Sequence, residues 1–133
     1  MRGLTFDEFE NGQAFDTMSR TITEADVVAF AGISGDLNPL HTDEQFMKGS
    51  PFGQRIAHGT MTFTIGIGLT ASLINDVAFT YGYDRLRFPK PVFIGDTIRS
   101  RVTVDRKEDD PKRPQTHGRV IEKVEVLNQR GEC

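Results

Sequence analysis

A chain of 133 residues suits one domain, and a domain of this size buries about two thirds of the surface that its unfolded chain exposes. The net charge of −3 argues against general nucleic-acid binding, because a phosphate-binding face normally shows as a basic excess. The single cysteine, Cys133, excludes a disulfide framework or a cysteine-rich metal site within one chain and favours a reducing, cytoplasmic setting. Residues 1–11 contain no apolar block, so we expect no secretory signal there.

The first predicted elements are a strand and a helix. Residues 14–22 are polar with apolar residues interspersed, which is typical of a strand. Thr23 then provides an N-cap with acidic residues in the first turn behind it, so a helix begins at this point. Gly32 and Gly35 indicate the end of the helix and the return to a loop.

The segment from Ser34 to His41 brings a carboxylate, an amide and an imidazole together within eight residues. Gly35 and Pro39 punctuate the backbone, so we predict a shaped loop rather than a helix. Such a loop could hold Asp36 and His41 toward a common point, as general acid–base chemistry requires. Aspartate and asparagine beside glycine and proline are also ordinary turn formers, so this spacing alone leaves both interpretations open.

A second capping signal, Thr42-Asp43-Glu44-Gln45, predicts a short helix that ends near Lys48 and a His41 placed just before it. Residues 49–54 follow as a loop. From residue 56 to residue 75 the chain has no Asp, Glu, Lys or Arg, so we expect protein on all sides of it. Its large apolar residues alternate with threonine and glycine, which on periodicity alone predicts a strand, although interior glycines suit neither a strand nor a helix.

The remaining chain predicts antiparallel strands. Residues 77–83 alternate, and the pattern resumes out of phase at Leu86 and Phe88, which suggests a β-bulge near Asp84. Further strands are predicted at 98–107 and 120–126, with a charged hairpin loop at 108–114 between them. Residues 128–131 then form a turn signal.

Two blocks of sequence, in the same order along the chain, point to one family. Residues 30–43 read FAGISGDLNPLHTD and are followed by IAHG at 56–59, and residues 87–98 read RFPKPVFIGDTI. They closely resemble the signature of the MaoC-like, (R)-specific enoyl-CoA hydratases, and the resemblance covers about Gly12 to about Gly131. It implies one α+β domain over residues 1–133 with a hot-dog fold, in which an antiparallel sheet wraps a long central helix at about 60–75. The implied activity is a hydro-lyase that reversibly adds water, syn, across a trans-2-enoyl thioester to give the (3R)-3-hydroxyacyl thioester.

The same resemblance assigns the catalytic groups. Asp36 and His41 match the family's catalytic pair, which holds one water molecule, and Asn38 is carried over as the residue that orients the pair or stabilises the loop. The backbone N–H of Gly59 is the implied oxyanion donor, and a helix N-terminus offers such unpaired N–H groups. Histidine suits the pair because its unperturbed pKa of about 6.5 lies near working pH.

Substrate contacts are predicted less specifically. The apolar candidates would line an acyl tunnel, although core packing explains them equally well, and the basic candidates could meet CoA phosphates or the phosphopantetheine of an acyl carrier protein, with a solvated strand edge as the alternative. Ser34 lacks the sequence of a nucleophile elbow and is more plausible as a hydrogen-bonding loop residue. The candidates are Ser34, Phe52, Met61, Ile65, Arg85, Arg87 and Lys90.

We interpret His58 as a hydrogen-bonded structural histidine rather than a second catalytic one. With Asp36 and His41 it could form a metal site, but none of the usual short helical ligand spacings is present, so we predict no metal. No cofactor is expected, because CoA or phosphopantetheine enters as part of the substrate.

The resemblance also implies a final strand after the turn at 128–131, so we expect a sheet whose last strand is shortened or absent, or a partner that covers the gap. A homodimer is expected, because hot-dog domains usually pair their sheets edge to edge. The competing functions are a non-catalytic acyl-thioester-binding protein, the partner subunit of a heteromeric dehydratase, and a thioesterase on the same fold. Acyl chain length, the choice between CoA and carrier protein, and the direction of reaction stay open.

Overall fold

A computed structural model describes residues 3–133 of the chain. Its helices are α1 (Glu24–Ser34), α2 (Pro39–Thr42), α3 (Glu44–Lys48) and α4 (Gly59–Leu69), with 3₁₀ turns at Phe6–Glu8 and Ala71–Leu73. Its strands are β1 (Ala14–Asp16), β2 (Arg20–Thr21), β3 (Thr97–Asp109) and β4 (Gly118–Leu127). Within this described part of the chain, no helix has the length and hydropathy to cross a membrane.

The sheet is antiparallel and is built around β3. Both β1 and β2 pair with one edge of β3, and β4 pairs with the other edge through a bulge between Val104 and Arg106. The predicted single strand at 14–22 is therefore wrong in its middle, where the chain bends between β1 and β2. At the bend, the Thr17 hydroxyl accepts a hydrogen bond from the Ser100 N–H at 2.9 Å. A side-chain oxygen thus replaces the backbone acceptor that a continuous strand would supply.

The core lies where α1 and α4 meet the sheet. Its central cluster consists of Ile22, Val27, Ala57, Met61 and Ile98, all of them buried. Burying one such aliphatic side chain fully contributes about 1.5–3 kcal/mol relative to leaving it exposed. The predicted inward face of β3 is confirmed, because Ile98, Val102 and Val104 are all buried.

The uncharged segment forms a helix, which confirms the central helix that the family resemblance implies, and the strand that alternation alone predicts is wrong. The α4 backbone lies close to the sheet: the Ser100 hydroxyl donates to the Gly66 carbonyl at 2.8 Å, and a Cβ on Gly66 would overlap the Val126 side chain. The helix ends at Leu69 rather than near Asn75. The chain tightens there into i→i+3 bonds, and Asn75 instead donates its side-chain N–H to the Leu4 carbonyl at 2.9 Å.

Residues 75–91 form no strand, and the predictions of a strand from Val77 and of a bulge near Asp84 are both wrong. Among residues 3–133, β4 pairs only with β3, so no neighbouring strand supplies backbone hydrogen bonds to this segment. Its alternating side chains are largely exposed, with Val77 at 91% and Phe79 at 79%. Two ring contacts hold it against the protein: Tyr81 under the Arg119 guanidinium at 4.2 Å and Tyr83 against Phe63 at 4.7 Å.

Candidate active site

The end of α1 shapes the loop that carries Asp36. Thr23 caps the start of this helix as predicted, and Gly35 ends it with a left-handed φ of 74°, a conformation that glycine adopts without strain. The Ser34 hydroxyl donates to the Phe30 carbonyl at 2.7 Å and accepts from the Asp36 N–H at 3.1 Å. Ser34 therefore uses its hydroxyl to form the loop, and its contact with substrate stays a prediction.

The Asp36 carboxylate has two different environments. Its Oδ1 accepts the Asn38 N–H at 3.2 Å, which fixes the carboxylate relative to its own turn. Its Oδ2 lies 3.8 Å from Nε2 of His41, and the side chain is 51% exposed. One oxygen is thus held by the loop while the other faces the imidazole and solvent.

His41 lies inside one turn of helix, α2, so the predictions of a loop at this point and of a histidine just before the next helix are wrong. The Asn38 side chain caps this turn by accepting the Leu40 N–H at 3.0 Å, and Pro39 occupies its first position. Asparagine at the N-cap and proline at the first helical position both favour a helix start. The short helix α3 ends at Lys48 as predicted, with Asp43 as its cap.

The His41 ring is buried and anchored by one nitrogen. Its Nδ1 lies 2.7 Å from the Ile56 carbonyl, which can only accept a hydrogen bond. We therefore assign the proton of the neutral ring to Nδ1, which leaves the Nε2 lone pair directed toward Asp36. Because the Ile56 N–H in turn donates to the Leu40 carbonyl at 3.0 Å, α2 and the segment before α4 hold the ring together.

His58 joins the two catalytic candidates. Its ring is 1% exposed, and its Nε2–H donates to the Asp36 carbonyl at 3.0 Å, which agrees with the predicted hydrogen-bonded histidine. Its ring stacks on His41 with centroids 3.8 Å apart and planes 25° from parallel, and the Phe30 ring packs against it at 5.0 Å. The spacing of Asp36, His41 and His58 along the sequence did not indicate these contacts. The sequence showed only that His58 stands one residue before Gly59, near the predicted start of the central helix.

Gly59 is the first residue of α4, so its N–H has no acceptor inside the helix. The Phe88 ring lies 3.0 Å from the position that a Cβ would occupy on Gly59. Glycine is therefore suited to this position sterically, and the Phe88 ring brings the segment 75–91 against the start of α4.

Asp36, His41 and His58 each offer a ligand atom, and these atoms lie within 4.8 Å of one another. Stacked imidazoles hold their in-plane lone pairs in two separate, nearly parallel planes, whereas a metal ion needs lone pairs that converge on one point. The arrangement of the rings therefore favours proton transfer over metal binding, and the absence of a metal stays a prediction.

Two grooves flank α1, and His41 lines the larger of them. One of about 330 Å³ lies beside His41 and has apolar walls that include Val27, Val28, Ala31 and Leu37. A smaller groove of about 190 Å³ lies between α1 and α4, with Met61 and Ile65 in its lining. Met61 is also a core residue, and Phe52 lines neither groove.

The three predicted basic residues have separate surroundings. Lys90 lies 3.4 Å from the Glu132 carboxylate, and Arg87 donates to the neighbouring Leu86 carbonyl. Hydrogen bonds from Asn128, Arg130 and Lys90 lower the pKa of Glu132 to about 2. Arg85 is exposed with a positive φ of 54°. A phosphate-binding role for these residues stays a prediction.

An ion-pair cluster that sequence analysis missed ties the site together. Arg55 donates to both carboxylate oxygens of Glu24 at 2.9 and 2.6 Å and to Glu44 at 2.7 Å. Arg55 therefore joins the starts of α1 and α3 to the segment that leads through Ile56 into α4. Its hydrogen bonds hold the pKa of the Glu24 carboxyl below its usual range.

This combination of a histidine–aspartate pair, a glycine at the start of a central helix and an antiparallel sheet has a match among known families. The family model of the MaoC like domain matches residues 8–126. The chain belongs to the MaoC-like domain family. The family resemblance that the two sequence blocks indicated is thereby confirmed.

MaoC-like relatives cover the chain broadly. Protein MaoC of Klebsiella aerogenes is 41% identical over 103 residues, which are 77% of this chain and 31% of that protein. The 3-hydroxybutyryl-CoA dehydratase of Methylorubrum extorquens is 36% identical over 104 residues, which are 78% of this chain and 66% of that protein. The chain thus matches less than two thirds of the length of either relative.

Solved structures share the fold. The unliganded R-hydratase of Pseudomonas aeruginosa superposes with a TM-score of 0.80 over 98% of this chain and 79% of that one, at 31% identity. The predicted α+β hot-dog fold is confirmed by such neighbours and by the central helix packed against an antiparallel sheet.

Proposed function

We propose that this MaoC-like protein is a hydro-lyase that catalyses reversible syn hydration of a trans-2-enoyl thioester of CoA or carrier protein to the (3R)-3-hydroxyacyl thioester. Relatives named as a 3-hydroxybutyryl-CoA dehydratase and an R-hydratase support this activity. The observation that carries the proposal is the pairing of the His41 Nε2 lone pair with Asp36 Oδ2 at 3.8 Å.

The 3.8 Å spacing is too long for a direct hydrogen bond and suits one water molecule bonded to both groups. In hydration, the water oxygen bonds to C3 of the enoyl group while one group of the pair accepts a proton from the water. The electrons of the double bond pass toward the thioester carbonyl, and the proton that the pair has taken from the water is then delivered to C2 on the same face, which completes the addition. The net reaction consumes one water, and Asp36 and His41 together supply the base and the acid.

The thioester oxygen gains negative charge during this step. Gly59 stands at the N-terminus of α4, where the N–H is unpaired within the helix and the helix dipole favours an anion. We assign the Gly59 N–H as the donor to that oxygen. Donors of this kind interact most strongly with the charge that develops in the transition state. They therefore lower the activation barrier without strengthening substrate binding.

The acyl chain is assigned to the apolar grooves that adjoin His41, Met61 and Ile65. Arg85, Arg87 and Lys90 are the candidates for the CoA phosphates or the phosphopantetheine, and no further cofactor takes part. We also propose a cytoplasmic setting, and its support is the single cysteine of the chain, which is typical of a reducing compartment.

We further propose that a second copy of the chain is the partner. The exposed apolar side chains of 75–91 and the unpaired edge of β4 are surfaces that proteins commonly cover by association. A homodimer would cover both.

The test is hydration of a short trans-2-enoyl-CoA by the purified protein, with the C3 configuration of the product determined. We expect an (R)-product, and we expect Asp36→Asn and His41→Gln each to lower kcat by at least about 100-fold, since acid–base groups contribute about 10²–10⁴. His117→Gln and Asp84→Asn make the same chemical changes at exposed positions and should leave kcat unchanged.

A folded protein without turnover on short and medium chains would contradict the hydratase proposal. Binding of the same thioesters would then identify an acyl-thioester-binding protein or a partner subunit. Release of free CoA from the thioester would instead identify a thioesterase.

A further inference from the structure

His58 is a buried polar side chain that the proposed reaction does not use. Its ring is 1% exposed, and Nδ1 has no hydrogen-bond partner in the described part of the chain. A buried polar atom without a partner lowers stability, and an apolar ring would fill the same space without that cost. Two contacts of the ring, one with Asp36 and one with His41, explain why a histidine rather than an apolar residue stands at this position.

The first contact fixes the aspartate loop. The loop around Asp36 makes its own bonds locally, through Ser34 and Asn38. The His58 Nε2–H···O bond to the Asp36 carbonyl joins residues that are 22 positions apart, so it ties the loop to the start of α4. This bond holds the backbone from which the reactive carboxylate extends.

The second contact covers one face of His41. The two imidazoles stack at 3.8 Å, and Phe30 packs on the His58 ring from another side. The Nδ1–H bond to the Ile56 carbonyl sets one direction of the His41 ring, and the stack restricts its rotation about that bond. The direction of the Nε2 lone pair therefore depends on both contacts.

We propose that His58 is a positioning residue for hydration, which sets Asp36 and His41 relative to each other and to the N-terminus of α4. This inference rests on the proposed function. The His58 side chain thereby fixes the position of the acid–base pair relative to Gly59, the residue that follows His58 in the chain. Loss of either contact should misplace the pair, and small misplacements of reacting groups cost about 10²-fold in rate.

Two variants separate the contacts. His58→Phe keeps an aromatic face and removes the donor, whereas His58→Gln keeps an N–H donor and removes the ring. We expect each to lower kcat about 10- to 100-fold with KM within about twofold of the wild-type value. In ¹⁵N NMR spectra of the imidazoles, His41 should be a single Nδ1–H tautomer in the wild type and in His58→Phe, which keeps the ring stack, and a mixture of tautomers in His58→Gln, which loses it.

Ser100→Ala is the matched control, because it removes another buried bond from a side chain to a backbone carbonyl, that of Gly66, further along α4. It should lower the thermal midpoint of unfolding and leave kcat and the His41 spectrum unchanged. A kcat within twofold of wild type in both His58 variants, or a wild-type His41 spectrum in His58→Gln, would overturn the inference. An equal loss of kcat in Ser100→Ala would also overturn it.

The two proposals fail in different ways. If the wild type shows no turnover, the proposed function fails, and the His41 spectrum still decides the role of His58. An unchanged His41 tautomer in His58→Gln then overturns the positioning role, and a mixture of tautomers supports it.

Discussion

The site segment, residues 34–59, and the apolar segment, residues 75–91, both contain little or no long regular structure, yet they differ in how their backbones are held. In the site segment, side chains of Ser34, Asp36 and Asn38 bond to nearby N–H groups. In the apolar segment, Asn75 makes one such bond, to the Val77 N–H, and the alternating apolar side chains such as Phe79 are exposed and cannot accept hydrogen bonds from the backbone. Irregular backbone is thus fixed where polar side chains replace the regular pattern, and an apolar alternation needs a neighbouring strand.

The two segments meet where the Phe88 ring packs against Gly59. Gly59, at the start of α4, belongs to the site segment, and Phe88 belongs to the apolar segment. Changes on either side of this contact test whether the difference between the segments matters for activity.

Gly59→Ala should have the largest effect of the variants that probe this comparison. The new Cβ would lie 3.0 Å from the Phe88 ring, so either the ring or the start of α4 must move. We expect kcat/KM to fall about 10-fold or more, since displaced donors lose most of their effect on the transition state. The double variant with Phe88→Ala should regain part of the loss. Failure of the second change to restore any activity would show that the ring does not cause the defect.

Gly66→Ala should lower the free energy of unfolding by about 1–3 kcal/mol, because its Cβ would overlap Val126. Gly68→Ala is the matched control on the same helix, since nothing lies within 4 Å of its Cβ position. There the change should be neutral or stabilising by up to about 1 kcal/mol. Urea unfolding measures both, and equal effects of the two variants would contradict the close approach of α4 to β4.

Arg55→Met should destabilise the site segment by about 1 kcal/mol, since it leaves two carboxylates without their shared cation. Arg106→Met, at an exposed residue that also pairs with two carboxylates, should change the free energy of unfolding by less than half as much. The difference is measured by urea unfolding at neutral pH.

The same variant has a predicted pH dependence. The hydrogen bonds from Arg55 lower the pKa of Glu24 in the folded protein from its usual 4.5. A depressed folded pKa contributes stability above the unfolded value and loses it as the pH falls through the folded value. The stability difference between wild type and Arg55→Met should therefore shrink below pH 4.5, and a difference that grows there would contradict the ion pair.

Phe79→Ser should have the smallest effect on folding, less than about 0.5 kcal/mol, because the side chain is 79% exposed. If a second copy covers this segment, the same variant should weaken dimerisation in sedimentation experiments at least tenfold. Met18→Ser, a control at another exposed apolar residue, should not change it. A wild type that is monomeric at all concentrations would contradict the dimer.

Local signals predicted the site segment well. The caps at Thr23 and Asp43 and the termination at Gly35 depend on bonds between residues a few positions apart, so the helices α1 and α3 were predictable. The turn at Pro39 was missed, although Asn38 and Pro39 are together a helix-start signal. Catalytic candidates lay within this locally determined stretch, and a family pattern could therefore identify them.

Alternation was a poor guide in two places for opposite reasons. At 61–69 the alternating segment is a helix. It packs against β3 and β4, and Gly66 allows its backbone to approach Ser100 and Val126 closely. At 77–83 the alternating segment is irregular, because the described chain places no strand beside it. The pattern was similar, and the surroundings differed.

The amino-acid sequence by itself determined the family, the caps, the paired strands β3 and β4, and the identity of the acid–base candidates. Those features rest on residues close together along the chain or on two contiguous blocks. The resemblance implied the central helix and the Asp36–His41 pair, and only the tertiary structure decided where that helix ends, how closely it approaches the sheet at Gly66, and that His58 contacts both members of the pair. Each of these depends on contacts between residues distant in the chain, and such contacts form only when packing and burial are settled for the whole domain.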